Sequence, residues 1–266
     1  REFYGSRDFV LTNSGSSANL AAITALCSKN LDGHMRPGGE VITPAVTFPT
    51  TLSPILQNGL VPVFVDCELG TYDVDVDAVA AAVSSKTQAL VIPHTLGNPC
   101  RMDVLMDIAR EHGLWVVEDC CDALGAKYDG KLVGTFGDAS TCSFYPAHHI
   151  TLGEGGGVVV REPKVAKIVR SIRDWGRDCW CEPGQNDTCG KRFGWQLGDL
   201  PEGYDHKYTY SEIGYNLKPT DLQAAIGTVQ ADRIGDFHAR RQHNFDRLYT
   251  GLKIYEEFLV LPRAYP

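Results

Sequence analysis

No stretch of this sequence stays apolar over the roughly 18 residues that a helix needs to cross a bilayer. The N-terminus, Arg1-Glu2-Phe3-Tyr4, lacks signal-peptide organisation, so a cytoplasmic protein is expected. Runs of Lys and Arg that would track a phosphate backbone are missing too. The net charge of -8 is spread along the chain, which argues against nucleic acid as a partner but leaves room for a local basic pocket. There is no internal repeat and no low-complexity segment. With 43% hydrophobic residues in 266, the composition is that of an ordered globular protein able to bury one large core or two modest ones. The chain has no initiator Met and stops at Ala264-Tyr265-Pro266 soon after a long helical pattern, the ends expected of a piece of a longer protein.

Cysteine, by contrast, is plentiful. Nine cysteines are an odd number in a chain with no export signal, which makes a disulfide framework a poor explanation and thiol or metal chemistry a better one.

Short apolar, β-rich runs at 9–12, 40–43, 61–65, 89–93, 114–118, 139–143 and 157–160 alternate with helical patterns at 17–27, 50–58, 75–83 and 103–112. Asp103 is placed to cap the last of these helices. Strands without a polar face suit a sheet covered on both sides, so the pattern predicts an α/β fold with a mostly parallel central sheet. Ligands of such sheets gather at the carboxyl ends of the strands. From about Trp175 to Tyr210 the pattern dissolves into a stretch rich in Gly, Asp, Cys and Trp, too long for an ordinary connection. Lys218-Pro219-Thr220-Asp221 then opens a helical segment through Leu222, Ala225, Ile226 and Val229 toward Tyr249.

Four segments carry chemistry. Asn13-Ser14-Gly15-Ser16-Ser17-Ala18-Asn19 turns from a strand into a helix and offers backbone N–H groups and hydroxyls to an anion. Glu118-Asp119-Cys120-Cys121-Asp122-Ala123-Leu124-Gly125-Ala126 puts a carboxylate at the end of a central strand. Ser143-Phe144-Tyr145-Pro146-Ala147-His148-His149-Ile150 runs on to Gly153-Glu154-Gly155-Gly156-Gly157, with no lysine between Ser143 and Lys164. Cys179-Trp180-Cys181 and Cys189 form a C-x-C-x7-C spacing; zinc sites favour C-x2-C, whereas iron–sulfur clusters take four thiolates at varied spacing. Cys27, Cys67, Cys100, Cys120 and Cys142 lie in or beside apolar elements and read as small buried hydrophobes.

Taken in order, these motifs resemble the sugar aminotransferases of the DegT/DnrJ/EryC1/StrS family, from residue 13 to about residue 227. The resemblance implies an aminotransferase-like α/β fold. Residues 1–230 would form a large cofactor-binding domain with an irregular insert at about 175–210, and 231–266 would begin a helical link to a C-terminal domain largely absent from this chain. Ser16, Ser17 and Ser143 would hold the cofactor phosphate, Phe48 would stack on the pyridine ring and Asp119 would pair with its nitrogen. Asp122 stands beneath the ring where relatives carry an uncharged or imidazole side chain. Asn216 would reach the phosphate of a neighbouring subunit, which implies a homodimer.

His148 occupies the position of the family's cofactor lysine. Histidine cannot form the internal Schiff base that this lysine makes, so the resting cofactor implied is pyridoxamine 5'-phosphate, held without a covalent bond, with His148 as base. The quartet Cys121, Cys179, Cys181 and Cys189 resembles the 2Fe-2S ligand set of the branch of 3-dehydrases in this family that joins a cluster to a histidine-substituted site. Cys120 rivals Cys121; alternation points the two to opposite faces. The activity implied is C3 deoxygenation of a nucleotide-linked 4-keto-6-deoxyhexose on the way to 3,6-dideoxyhexoses of bacterial surface polysaccharide. Electrons would come from an NADH-dependent flavin iron–sulfur reductase. Three alternatives stay open: a cluster-free dehydratase of the GDP-4-keto-6-deoxymannose type, a lysine-dependent aminotransferase, and a non-catalytic metal or redox module on the same fold.

Overall fold

The apolar runs become strands of one sheet in the computed structural model, which describes residues 2–5, 8–179, 181, 185 and 187–265. Arg1, Trp180 and Pro266, cited above from the sequence, lie outside the described residues. The strands are β1 (Asp8–Thr12), β2 (Glu40–Pro44), β3 (Val61–Val65), β4 (Thr87–Pro93) and β5 (Trp115–Asp119), then a two-stranded ribbon of β6 (Lys127–Tyr128) and β7 (Lys131–Leu132), then β8 (Ala139–Ser143) and β9 (Gly156–Val160). The seven-stranded sheet has the order β1-β9-β8-β5-β4-β2-β3. The pairs from β8 through β5, β4 and β2 to β3 are parallel, and β9 alone runs against its neighbours β1 and β8. The expected mostly parallel sheet is what forms.

The helices are α1 (Gly15–Leu26), α2 (Pro49–Gln57), α3 (Val76–Ala82), α4 (Met102–His112), α5 (Pro163–Arg173), α6 (Asp221–Ala231) and α7 (Ile234–Leu252). One face of the sheet is covered by α1, α2 and α5 around Ile23, Leu26, Ile55, Val169 and Ile172; the other carries α3 and α4 around Val79, Leu90, Met102 and Leu105. Burial on both faces explains why β8 and β9 read as unbroken apolar or small runs: every residue of both is buried. A third cluster joins Phe144, Ile150 and Leu152 to Ile234 and Phe237 of α7. Among the described residues no helix is long and apolar enough to cross a membrane.

Local chemistry fixes the helix ends. Ser14 caps α1, its hydroxyl oxygen accepting the Ser17 N–H at 3.0 Å, and Asp75 caps α3 through the N–H groups of Asp77 and Ala78. The helix expected to open on an Asp103 cap begins at Met102 instead. Arg101 sits at the cap position without a side-chain bond, because the Asp103 carboxylate accepts the Tyr128 hydroxyl at 2.6 Å. The long helical pattern after Thr220 divides into α6, opened by a Thr220–Gln223 capping box, and α7. Helix α5 was not anticipated, although Pro163 at its start and Val165, Ile168, Val169 and Ile172 on one face spell it out. In the stretch from 175 to 210 the described residues are irregular apart from a short 3-10 turn at His206–Tyr208. Its base is stitched by the bridges Asp174–Asn216 and Arg177–Tyr210, and Arg192 forks onto the Asp205 carboxylate at 2.7–3.0 Å.

Candidate active site

Carboxyl ends of β1, β2, β4, β5 and β8 meet around one cleft of about 910 Å³. Its lining includes Ser16, Ser17, Phe48, Asp119, Cys121, Asp122, Ser143 and His148, so seven of the eight residues assigned to the cofactor or catalysis converge there, joined by one thiol. No lysine lines it among the described residues.

The chain order produces this convergence. At the end of β1 the backbone turns through Ser14 into α1, whose N-terminal N–H groups point into the cleft. Gly15 must be glycine here, since an added Cβ would come within 2.5 Å of the Ser143 Cβ. Asp119, buried at the end of β5, accepts the Asn19 amide at 2.8 Å and the Thr51 hydroxyl at 2.7 Å on one oxygen, and the Cys121 N–H at 3.1 Å on the other. Asn19 is itself fixed by the Thr141 hydroxyl at 2.6 Å. Phe48, by contrast, is 69% exposed, an aromatic face offered to the cleft.

Neighbouring Glu118 points the other way. Burial pushes its carboxyl up, but the His94 ring nitrogen at 3.2 Å and the N–H groups of Gly134 and Gly137 prevail and hold it below the usual carboxylate range. His94, Glu118 and Cys120 are close enough to suggest a metal triad, yet this saturated hydrogen bonding accounts for them as a core network supporting the cleft floor.

His148 lies in the turn that follows β8. Its Nε2 stands 3.4 Å from Asp122 Oδ1, and its ring meets Tyr145 edge-on at 5.7 Å between centroids. His148 Nδ1, Asn13 Oδ1 and Thr47 Oγ1 are buried cleft atoms without a hydrogen-bond partner among the described residues. Buried polar groups left unpaired are costly, and a ligand with its own donors and acceptors relieves that cost. A cleft with an anion-binding helix end, an exposed aromatic face and a fixed carboxylate fits a planar aromatic phosphate ester. Pyridoxamine 5'-phosphate has that shape and chemistry.

Asn216 is absent from this cleft. It pairs with Asp174 at the base of the insert and accepts the Lys218 ammonium at 3.0 Å. Of the cysteine quartet, Cys179 and Cys181 lie together in the insert and Cys121 lines the cleft. Thiols of Cys179 and Cys181 hydrogen-bond each other. Cys181 is held below the ordinary thiol range, first by the Thr188 hydroxyl at 3.0 Å and then, against a small effect of burial, by the N–H groups of Thr188 and Cys189. Cys189 sits 3.5 Å from His206. Cys121 is elsewhere: it lines the cofactor cleft and packs on Gly15 at the start of α1, while Cys179 opens into another cleft that includes Asn30, beyond the end of α1. Burial, and then the Asp119 charge, push the Cys121 thiol well up. Cys120 is fully buried with Ala123 and Val133, on the opposite side as alternation predicts.

Asn19 and Thr51, the residues that orient Asp119, were not found from the sequence. Nothing in a small polar residue inside a helix announces a buried partner a hundred positions away.

The model of the DegT/DnrJ/EryC1/StrS aminotransferase family matches residues 1–264. The chain is 56% identical over 264 residues to the lipopolysaccharide biosynthesis protein RfbH of Salmonella typhimurium, an alignment covering 99% of this chain and 60% of that protein. It is 57% identical over 265 residues to the dTDP-4-dehydro-2,6-dideoxy-D-glucose 3-dehydratase of Saccharopolyspora spinosa, covering 99% of this chain and 57% of that one. Among solved structures, the Escherichia coli GDP-4-keto-6-deoxy-D-mannose-3-dehydratase with bound hydrated PLP superposes with a TM-score of 0.81 at 32% identity, over 95% of this chain and 62% of the other. The chain spans about three fifths of the length of the curated relatives it matches.

Proposed function

The chain belongs to the DegT/DnrJ/EryC1/StrS aminotransferase family, and we propose that it dehydrates a nucleotide-linked 4-keto-6-deoxyhexose at C3 with pyridoxamine 5'-phosphate. One observation carries this reading: the cleft that holds Asp119 is served by His148 and by no lysine among the described residues. The names of the Saccharopolyspora and Escherichia relatives, both 3-dehydratases, support it.

When bound, pyridoxamine 5'-phosphate supplies an amine that condenses with a keto group and a ring that accepts electron density from a developing carbanion. Ser16, Ser17 and Ser143 would hold its phosphate, Phe48 its ring face and Asp119 its ring nitrogen. Donors from Asn19, Thr51, Thr141 and the Cys121 backbone fix the Asp119 carboxylate, so its negative charge is aimed before any ligand arrives. His148 takes a proton at the C4' carbon, the general-base role its place in the cleft allows. Asp122 faces Nε2 and orients the ring. Asn216 lies outside its own cleft, as expected of a residue that serves a neighbouring subunit, and the apolar surface exposed on α6 and α7, including Leu222, Val229 and Leu248, supports a homodimer.

The finer reading adds a 2Fe-2S cluster on Cys121, Cys179, Cys181 and Cys189, fed with single electrons by an NADH-dependent flavin iron–sulfur reductase, which makes the overall reaction a deoxygenation in 3,6-dideoxyhexose synthesis. The lowered Cys181 thiol suits thiolate ligation, while burial pushes the thiol of its neighbour Cys179 up. Cys121 lines the cleft beside Gly15, at the start of α1, whereas Cys179 faces the cleft that includes Asn30, beyond the end of α1. That separation favours a second reading, a cluster-free dehydratase that regenerates the cofactor amine from glutamate.

Incubation of the full-length protein with pyridoxamine 5'-phosphate and the 4-keto-6-deoxyhexose nucleotide should give a sugar lacking its C3 hydroxyl. A 4-amino sugar with that hydroxyl intact would instead identify an aminotransferase.

A further inference from the structure

The turn that bears His148 is anchored from outside the sheet. Between Ser143 and Gly156 the chain leaves β8, and Gly153 in this turn adopts φ +84, in the left-handed region that favours glycine. Within the turn the His148 N–H bonds the Tyr145 carbonyl at 2.9 Å and the Leu152 N–H the Phe144 carbonyl at 3.0 Å; further attachments come from α6 and α7. Arg241 on α7 donates from Nη2 to the His148 carbonyl at 3.2 Å and from Nη1 to the His149 carbonyl at 3.0 Å. His238, about one helical turn earlier, sets its ring edge-on to His149 at 5.8 Å and bonds the Leu124 backbone. Ile234 and Phe237 pack against Phe144, Ile150 and Leu152. From α6, Gln223 donates to the Glu154 carbonyl at 3.0 Å, and Gln230 accepts the Thr151 N–H at 3.4 Å.

Only one of the contacts from α6 and α7 touches the backbone of the histidine itself. The imidazole is otherwise held by Asp122, half exposed at 3.4 Å, and by the edge of Tyr145, while Nδ1 has no partner among the described residues. A guanidinium presents two donors in a rigid plane, the geometry needed to bind two successive carbonyls at once; an ammonium cannot reproduce it. We propose that Arg241 is a positioning residue for His148: by gripping the peptide units of residues 148 and 149 it sets the direction from which the imidazole enters the cleft. This rests on the reading of His148 as the base. The cation is close enough to act on the adjacent ring too, since the His149 imidazole is held down to about 4 by burial and then by Arg241.

The test uses the full-length enzyme carrying its cofactor. Arg241→Ala should lower kcat for solvent hydrogen exchange at C4' about 10- to 100-fold, the range for a misplaced catalytic group, with KM for the sugar nucleotide unchanged. Arg241→Lys, which offers one donor direction at a time, should recover part of that loss. In the cofactor-free protein, NMR of the His148 imidazole should show one ring environment in the parent and in Arg241→Lys, and an averaged one in Arg241→Ala. Unchanged kcat and unchanged imidazole signals in Arg241→Ala overturn the proposal. A loss that follows thermal stability and that lysine does not relieve overturns it as well, by making the contact structural. Should His148→Asn leave exchange intact, the base reading fails, and the imidazole signals alone decide whether Arg241 positions the ring.

Discussion

The Nε2 of His148 lies 3.4 Å from Oδ1 of Asp122, a carboxylate whose side chain is 52% exposed. A polar contact that open to solvent contributes at most about 1 kcal/mol to stability, so its value is directional: it gives the imidazole one preferred partner in the cleft. Asp122→Asn keeps the shape and removes the charge. The variant's stability should lie within about 0.5 kcal/mol of the parent's, while C4' exchange slows by about 3- to 10-fold, well below the loss of the general base itself. Equal exchange rates in both proteins would leave Asp122 without a part in the reaction.

Asp119 is held by Asn19, and that contact reaches beyond the cofactor. Removing the amide in Asn19→Ala leaves a buried carboxylate oxygen and the Thr141 hydroxyl each short of a partner. Such a loss costs about 1–3 kcal/mol of stability, measurable in urea, and cofactor affinity should fall with it because the carboxylate is no longer aimed.

Acid sensitivity should have a component at His149. Burial lowers its imidazole from an ordinary 6.5 to about 4. Between those values the unfolded chain binds a proton that the folded chain refuses, so stability falls as pH drops from about 6.5 toward 4 and gains nothing from this group above 6.5. His149→Gln removes the titration. Its melting temperature should decline less steeply than the parent's across that window, with a residual slope from His238, which is lowered in the same sense. Parallel slopes would show that His149 is not the sensitive group.

The insert thiols set a separate prediction. Full-length protein purified without air should hold about two iron and two acid-labile sulfide per chain, and Cys181→Ser, which removes the lowered thiol, should lose both. Colourless, iron-free protein with full dehydratase activity would decide for the cluster-free reading.

Much of the fold was written in the sequence because a sheet buried on both faces leaves no polar alternation to confuse: each of the seven runs from Phe9 to Val160 became a strand. The residues that line the cleft were legible for a related reason. Asp119, Ser143 and the Ser14–Ser17 turn sit at strand ends, where topology alone delivers side chains to one cleft. What escaped depends on distance along the chain. Asn19 meets Asp119 across a hundred residues and Arg241 meets His148 across ninety-three, and neither separation leaves a local pattern. Asp103 shows the opposite failure, a cap predicted by local rules and overridden by a tertiary partner, Tyr128. The family resemblance grouped Cys121 with the insert thiols; in the fold it lines the cleft against Gly15.

The central claim is that His148 is the base in a site without a tethering lysine. His148→Asn in the full-length protein should still bind pyridoxamine 5'-phosphate with parent affinity but lose C4' hydrogen exchange by about 10²- to 10⁴-fold, the range for a missing general base. Exchange at the parent rate in that variant would contradict the account.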